Sequence, residues 1–308
     1  VPLIFCSAPG HDVCDRVEEM AMNSGKPFAA VAMGSEEGFA LAEKIISSAA
    51  KNGTWVILKN AHLCTSWLSE TLVRRLQAVN PHPNFRIFIT SEINPTLPIS
   101  LLRMSNIIVA EAPGGVKASM SRFFNIISID RFKVHVKNRL YFLLAWVHAV
   151  IQERLRYIPE GWSKHYDFTE ADANHAIDVI DSLVENSNGS NISPDQLPWE
   201  AIRATLCKVI FGGKITDPQD QQKLDELVYS VFVSSSFDVN FSLVSSESSF
   251  RVLPDSGSRD DFVSWIELLP DHTSPTWIGL DSRAEATRAK NTAASIQSKI
   301  ALLQRCFL

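Results

Sequence analysis

Five short β-rich runs separated by helical stretches fill the first 112 residues of the chain, and that alternation constrains the fold more than any other feature. The runs lie at 3–6, 28–32, 55–58, 85–89 and 106–109. None alternates cleanly with polar residues, so most are expected to be buried on both faces, as strands of a parallel sheet are. Helical spacing connects them at 12–24, 35–52, 62–79 and 98–104. The second of these opens on Ser35-Glu-Glu, a favourable first turn, and stops at Gly53. The order β-α-β-α-β-α-β-α-β predicts an open α/β sheet with right-handed crossovers.

Pro113-Gly114-Gly115 ends the alternation. Helix signals follow at 116–127, 138–157, 169–186, 198–210 and 219–233, with loops at 186–195. The Ser-rich stretch 234–249 and residues 255–258 read as turns or short strands. Residues 281–306 read as an amphipathic helix with Ile296, Ile300 and Leu303 on one face. A length of 308 residues accommodates two units at roughly 150 residues each, and the boundary is expected at 115/116.

Composition excludes several classes. Apolar residues make up 45% and charged residues 20%, which rules out wholesale disorder. With 29 Lys+Arg against 34 Asp+Glu the net charge is −5, no overall footprint for nucleic acid or an anionic membrane. The longest apolar run, 140–151, is too short for a bilayer, which needs about 20 residues. No signal peptide opens the chain, and Val1 points to a piece of something larger. Five scattered cysteines, an odd number, fit free thiols in a reducing compartment.

A sheet of this kind invites a test for a phosphate-binding loop. That loop needs Gly-x-x-x-x-Gly-Lys-[Ser/Thr] after the first strand, because backbone N–H groups cradle the phosphates and the hydroxyl takes Mg²⁺. Here the segment reads Ser7-Ala-Pro9-Gly10-His-Asp12, with one glycine and no lysine. Asp12 is a good N-cap, so its carboxylate is expected in the seat a phosphate would need. The third strand, which in such enzymes ends in Mg²⁺-holding acids, ends instead in Lys59-Asn60. A lysine there removes a ligand and adds repulsion. At ~4 Å and an effective dielectric of 20, two unit charges interact by about 4 kcal/mol. The alternative reading is a nucleotide-binding module with an atypical pocket, in which Lys59 and the backbone near Gly10 contact phosphate.

Other positions carry weaker signals. His62 and Cys64 lack the further ligands a zinc site needs, so structural use is expected. His148 and Glu153 lie five apart on an apolar helix, where a hydrogen-bonded structural histidine is the better reading than a catalytic pair. Ser7 lacks the Gly-x-Ser-x-Gly context of a hydrolase nucleophile. Thr90 and Ser91 end the fourth run and suit a turn. Arg103 could project toward a neighbouring subunit as an arginine finger, or serve surface packing. No catalytic residue and no metal site emerge.

The stretches Gly34-Ser-Glu-Glu-Gly-Phe39, Gly53–Leu63, Phe85–Pro95, Arg139–Tyr157 and Gly161-Trp-Ser-Lys164 resemble the dynein heavy chain family. The similarity continues through Asn191-Ile-Ser-Pro-Asp195, Phe211-Gly-Gly213 and Ser236-Phe-Asp238 to Leu268-Leu-Pro-Asp271, nearly the whole chain. It is to the sixth, most C-terminal AAA+ module. Residues 191–199 are more similar to the cytoplasmic than to the axonemal branch, whereas 108–115 depart from the more proline-rich cytoplasmic pattern. The resemblance implies an AAA+ fold: a large α/β subdomain over 1–115 with sheet order 5-1-4-3-2, and a helical small subdomain with C-terminal extension over 116–308. It also implies an ATP-driven, minus-end-directed microtubule motor in the cytoplasm. The sixth module of that motor has lost nucleotide binding, so no cofactor is expected here, ATP and Mg²⁺ being used elsewhere in the parent. Implied partners are the fifth and first modules of the same ring. Microtubules and the light and intermediate chains would be met through other parts. By the same resemblance the linker, stalk and tail are expected to lie outside this sequence, and the region that usually follows the small subdomain to be missing or barely started at Leu308.

Overall fold

The computed structural model describes residues 1–7, 13–78, 80–110, 114–186, 193–238, 240–244, 254 and 257–306. The chain separates into two compact units, Val1–Ala112 and Pro113–Leu308.

The first unit is a five-stranded parallel sheet: β1 (Leu3–Ser7), β2 (Phe28–Ala32), β3 (Trp55–Lys59), β4 (Arg86–Glu92) and β5 (Asn106–Ala110), in the spatial order β2-β3-β4-β1-β5. This is the order the family resemblance implied. Two-residue alternation sends Val56 and Leu58 to one face and Ile57 to the other, and all three are fully buried. The expectation of two buried faces therefore holds for the inner strands. It fails at the edge, where Ile107, Ile108 and Val109 of β5 are exposed. An edge strand has a neighbour on one side only, and apolar composition alone does not reveal that.

One face of the sheet carries α1 (Cys14–Asn23), whose Val13 and Val17 pack on Ile57 and Phe88. The other face carries α2 (Glu36–Asn52), through Ala42, Ile46 and Ala49, together with the segment from Ala61 to Ala78 and α5 (Ile99–Met104). Helix α2 starts as its sequence predicts: Ser35 Oγ accepts the Gly38 N–H, and two glutamates occupy the positive first turn. It ends at Gly53, whose φ of 76° is the left-handed value a glycine cap adopts without strain. The run expected as one helix over 62–79 is broken up. It comprises a 3₁₀ turn, α3 (Thr65–Trp67), a π turn (Leu68–Leu72) and α4 (Val73–Ala78).

The second unit is helical. Its spine is α7 (His135–Arg154), buried on all sides from Asn138 to Ile151. The apolar run at 140–151 is thus a core helix, and no helix among the described residues is long and apolar enough to cross a membrane. Around α7 lie α6 (Val116–Ile126), α8 (Glu170–Asn186), α9 (Trp199–Thr205, continuing into a π turn), α10 (Pro218–Val231) and α11 (Arg259–Glu267). The sequence reading passed over α11, although Ser258 caps it and Phe262, Trp265 and Ile266 share a helical face. Finally α12 (Ala284–Cys306) packs at its start, through buried Ala284 and the Tyr157–Glu285 hydrogen bond. Of the apolar face expected at Ile296, Ile300 and Leu303, the first two are half-exposed and the Leu303 side chain lies outside the described residues.

Candidate functional site

Open α/β sheets place ligands at the carboxyl ends of their strands, and three of those ends converge here. Lys59 closes β3, and its carbonyl accepts the Met33 N–H at 2.8 Å. Its ammonium lies 2.5 Å from the Glu18 carboxylate on α1, with about a quarter of each side chain exposed. The helix is brought there by its valines. Val13 and Val17, four apart, bury on the sheet, and the adjacent row at Cys14 and Glu18 then faces the strand ends.

Asn60 follows with φ 57° and ψ 44°, the one left-handed residue other than glycine among those described. Asparagine enters that region more easily than most side chains, which suits it to turning the chain out of β3. Its N–H donates to Thr90 Oγ1 at 3.3 Å, and Cys14 Sγ shares a second bond with the same hydroxyl at 3.1 Å. Thr90 and Ser91 are buried inside β4, which extends to Glu92, so the turn expected for them is not observed. The sequence reading had no role for Cys14 or Glu18; their four-residue spacing after Val13 was the available signal.

Pro9, Gly10 and Asp12 lie outside the described residues. The N-cap position of α1 falls on Val13, with no side-chain cap, and the seat expected for the Asp12 carboxylate lies outside the described residues. Arg103 is exposed in the last turn of α5 and makes no ion pair among the described residues. His62 has a structural task. Its Nδ1 accepts the Glu92 N–H at 3.1 Å, with Nε2 3.9 Å from the same residue's carboxylate. Cys64 Sγ donates to the Ala61 carbonyl, and burial pushes its thiol up to about 11, so it stays protonated at neutral pH. No group of three metal-capable side chains occurs among the described residues.

In the second unit, His148 and Glu153 do not meet. Five residues on a helix separate side chains by roughly 140° at 3.6 residues per turn. His148 is buried between Phe123 (5.6 Å) and Phe211 (6.1 Å), and neither ring nitrogen has a hydrogen-bond partner. The expectation of a hydrogen-bonded histidine is therefore corrected. Burial lowers its pKa to about 4, although the Thr169 backbone and the Asp172 carboxylate favour the proton; Arg122 opposes it.

Glu153 instead reaches the start of α6. It accepts the Gly115 N–H at 2.8 Å, and Thr273 Oγ1 accepts the Val116 N–H at 2.9 Å. A cleft of about 180 Å³ opens beside them, lined among others by Gly114, Arg156, Tyr157, His272 and Arg288. Its arginines are already engaged, Arg156 with Glu153 and Arg288 with Glu285.

A parallel sheet in this order, followed by a helical unit, defines a P-loop-type AAA+ module with a lid. Residues 1–109 match the family described as dynein heavy chain region D6 P-loop domain, and residues 137–284 match the dynein heavy chain AAA lid domain. The chain belongs to the dynein heavy chain family. It is 44% identical to the cytoplasmic dynein heavy chain of Dictyostelium discoideum, an alignment covering 98% of this chain and 6% of that protein. Identity to the cytoplasmic dynein heavy chain of Paramecium tetraurelia is 42%, and to that of Drosophila melanogaster 38%; each alignment covers 99% of this chain and 7% of the relative. The chain thus spans only 6–7% of the length of these relatives.

Proposed function

We propose that the chain is the non-catalytic sixth AAA+ module of a dynein motor ring. It closes the ring between the fifth and first modules and passes rigid-body movement through packed faces, with no chemistry of its own. The parent is then an ATP-driven, minus-end-directed microtubule motor of the cytoplasm. Its microtubule, light-chain and intermediate-chain contacts are made elsewhere, and Arg103 is a candidate contact to a neighbouring module.

One observation carries the non-catalytic reading: the residue at the end of β3 is a lysine, and its charge is met by Glu18. A Mg²⁺ ion would face an ammonium where it needs a carboxylate. The Thr90 hydroxyl, which could meet a ligand at the next strand, bonds to Asn60 and Cys14. Calorimetric titration of the chain with Mg²⁺-ATP tests the reading. No saturable heat is expected; micromolar binding that disappears in Lys59→Ala would refute it and favour the atypical pocket.

A further inference from the structure

We propose that the amino-terminal rim of the first unit's sheet is a docking surface for an acidic segment of a partner protein, held by Lys26, Lys51, Arg86 and Arg103. The inference goes beyond the ring-module reading, in which Arg103 alone was a contact. It concerns the end of the sheet opposite Lys59 and does not depend on whether nucleotide binds there.

All five strands run parallel and begin within two residues of a common line: Trp55 pairs with Phe28 and Arg86, and Leu3 with Phe88 and Asn106. Lys26 stands two residues before β2, Lys51 four before β3 and Arg103 three before β5, while Arg86 opens β4. Backbone bonds tie these connections together, from the Trp55 N–H to the Pro27 carbonyl at 2.9 Å and from the His82 N–H to the Ala50 carbonyl at 2.8 Å. Across four strand spacings of ~4.8 Å the row of cations extends about 19 Å. All four are exposed, and none makes an ion pair among the described residues. The spans 20–35, 44–69, 71–91 and 93–110, which include every helix-to-strand connection at this end, contain no Asp or Glu. Helix dipoles favour cations in last turns, where Lys51 and Arg103 sit. That account does not reach Lys26, in a loop, or Arg86, whose Nη1 donates to the Pro83 and Phe85 carbonyls at 2.8 Å. Like charges on adjacent strand ends repel, and external carboxylates relieve the repulsion. Exposed Met22, in the last turn of α1, adds the apolar contact that protein interfaces mix with cations. A short acidic segment fits better than a long polyanion such as nucleic acid, because the other end of the sheet carries Glu36, Glu37 and Glu92 and the chain's net charge is −5. About six extended residues at ~3.3 Å each match the row.

The probe is a fluorescein-labelled decapeptide of alternating Glu and Ser, titrated with the 308-residue chain at low salt and followed by fluorescence anisotropy. Circular dichroism checks that each variant is folded, and single-charge variants replace any that is not. Wild type should bind saturably, and added salt should weaken the binding. Changing Lys26, Lys51, Arg86 and Arg103 together to Gln should weaken it at least about tenfold, roughly a factor of two per charge. Lys51→Gln with Arg86→Gln should lose about fourfold. Lys290→Gln with Lys299→Gln removes the same charge from exposed positions on α12 and should leave binding unchanged. No saturable binding by wild type, or equal losses in the two double variants, overturns the proposal. Rim-dependent binding that is tighter to phosphatidylserine vesicles or to a single-stranded oligonucleotide overturns it as well, by assigning the rim to another class of partner. Displacement of the peptide by excess unlabelled chain associating with itself would make the occupant a second copy, which the proposal also does not survive.

Discussion

Lowering the pH should unfasten the second unit through a single side chain, His148. Its folded-state pKa is about 4 against 6.5 for a free imidazole, so the unfolded chain takes up the proton first. The stability this neutral histidine permits is complete above pH 6.5. It declines as the pH falls and levels off near pH 4. A difference of 2.5 units at 1.36 kcal/mol per unit sets a total loss of about 3 kcal/mol, of which about 2 kcal/mol is gone by pH 5. Replacing His148 with leucine removes both the proton and the two unpartnered nitrogens. The variant should stay within about 1 kcal/mol of wild type at pH 7.5, since losing unpartnered polar atoms offsets the altered ring packing. Between pH 7.5 and 5 it should lose about 2 kcal/mol less than wild type. Urea unfolding at both values measures the difference, and hydrogen exchange of the α7 amides assigns it to this unit. Parallel pH profiles for the two proteins, or an imidazole that titrates near 6.5 by NMR, would refute the reasoning.

Further expectations follow from other contacts. Glu153→Ala strips the acceptor from Gly115 at the start of α6 and should cost about 2 kcal/mol in urea unfolding. Asp220→Asn should cost a similar amount, about 2 kcal/mol, because the fully buried carboxylate accepts from Ser163, Tyr166 and Lys223 together. Arg103→Glu should leave unfolding free energy within about 0.5 kcal/mol of wild type, as an exposed side chain does; a larger loss by thermal melt would place it inside the fold. The isolated chain should self-associate through its β5 edge, and Ile108→Lys should lower the mass seen by light scattering.

The sheet was legible because each of its runs is too apolar and too short for a surface helix, and glycine or asparagine closes the helices between them. Sequence could not rank the strands: β3 and β5 are similarly apolar, yet one is central and the other an edge, a difference set by pairing. The broken helix after Asn60 was hidden because its apolar spacing is that of a continuous one. At the candidate site Lys59 and Asn60 were visible as departures from a known pattern, whereas Glu18 was not. Its significance depends on α1 lying across β3, a contact between residues 41 positions apart. His148 was misjudged for the same reason, since whether a buried nitrogen finds a partner is decided by neighbours on other helices.

The bond from Val116 to Thr273 spans 157 residues. A ribosome working at 5–20 residues per second needs roughly 8 to 30 s to cover that interval. Throughout it the leading turn of α6 has emerged while one of its acceptors is still unmade. The opening turn of α6 therefore waits for a residue 157 positions downstream. A chain that ends before Thr273 leaves the turn without that acceptor permanently.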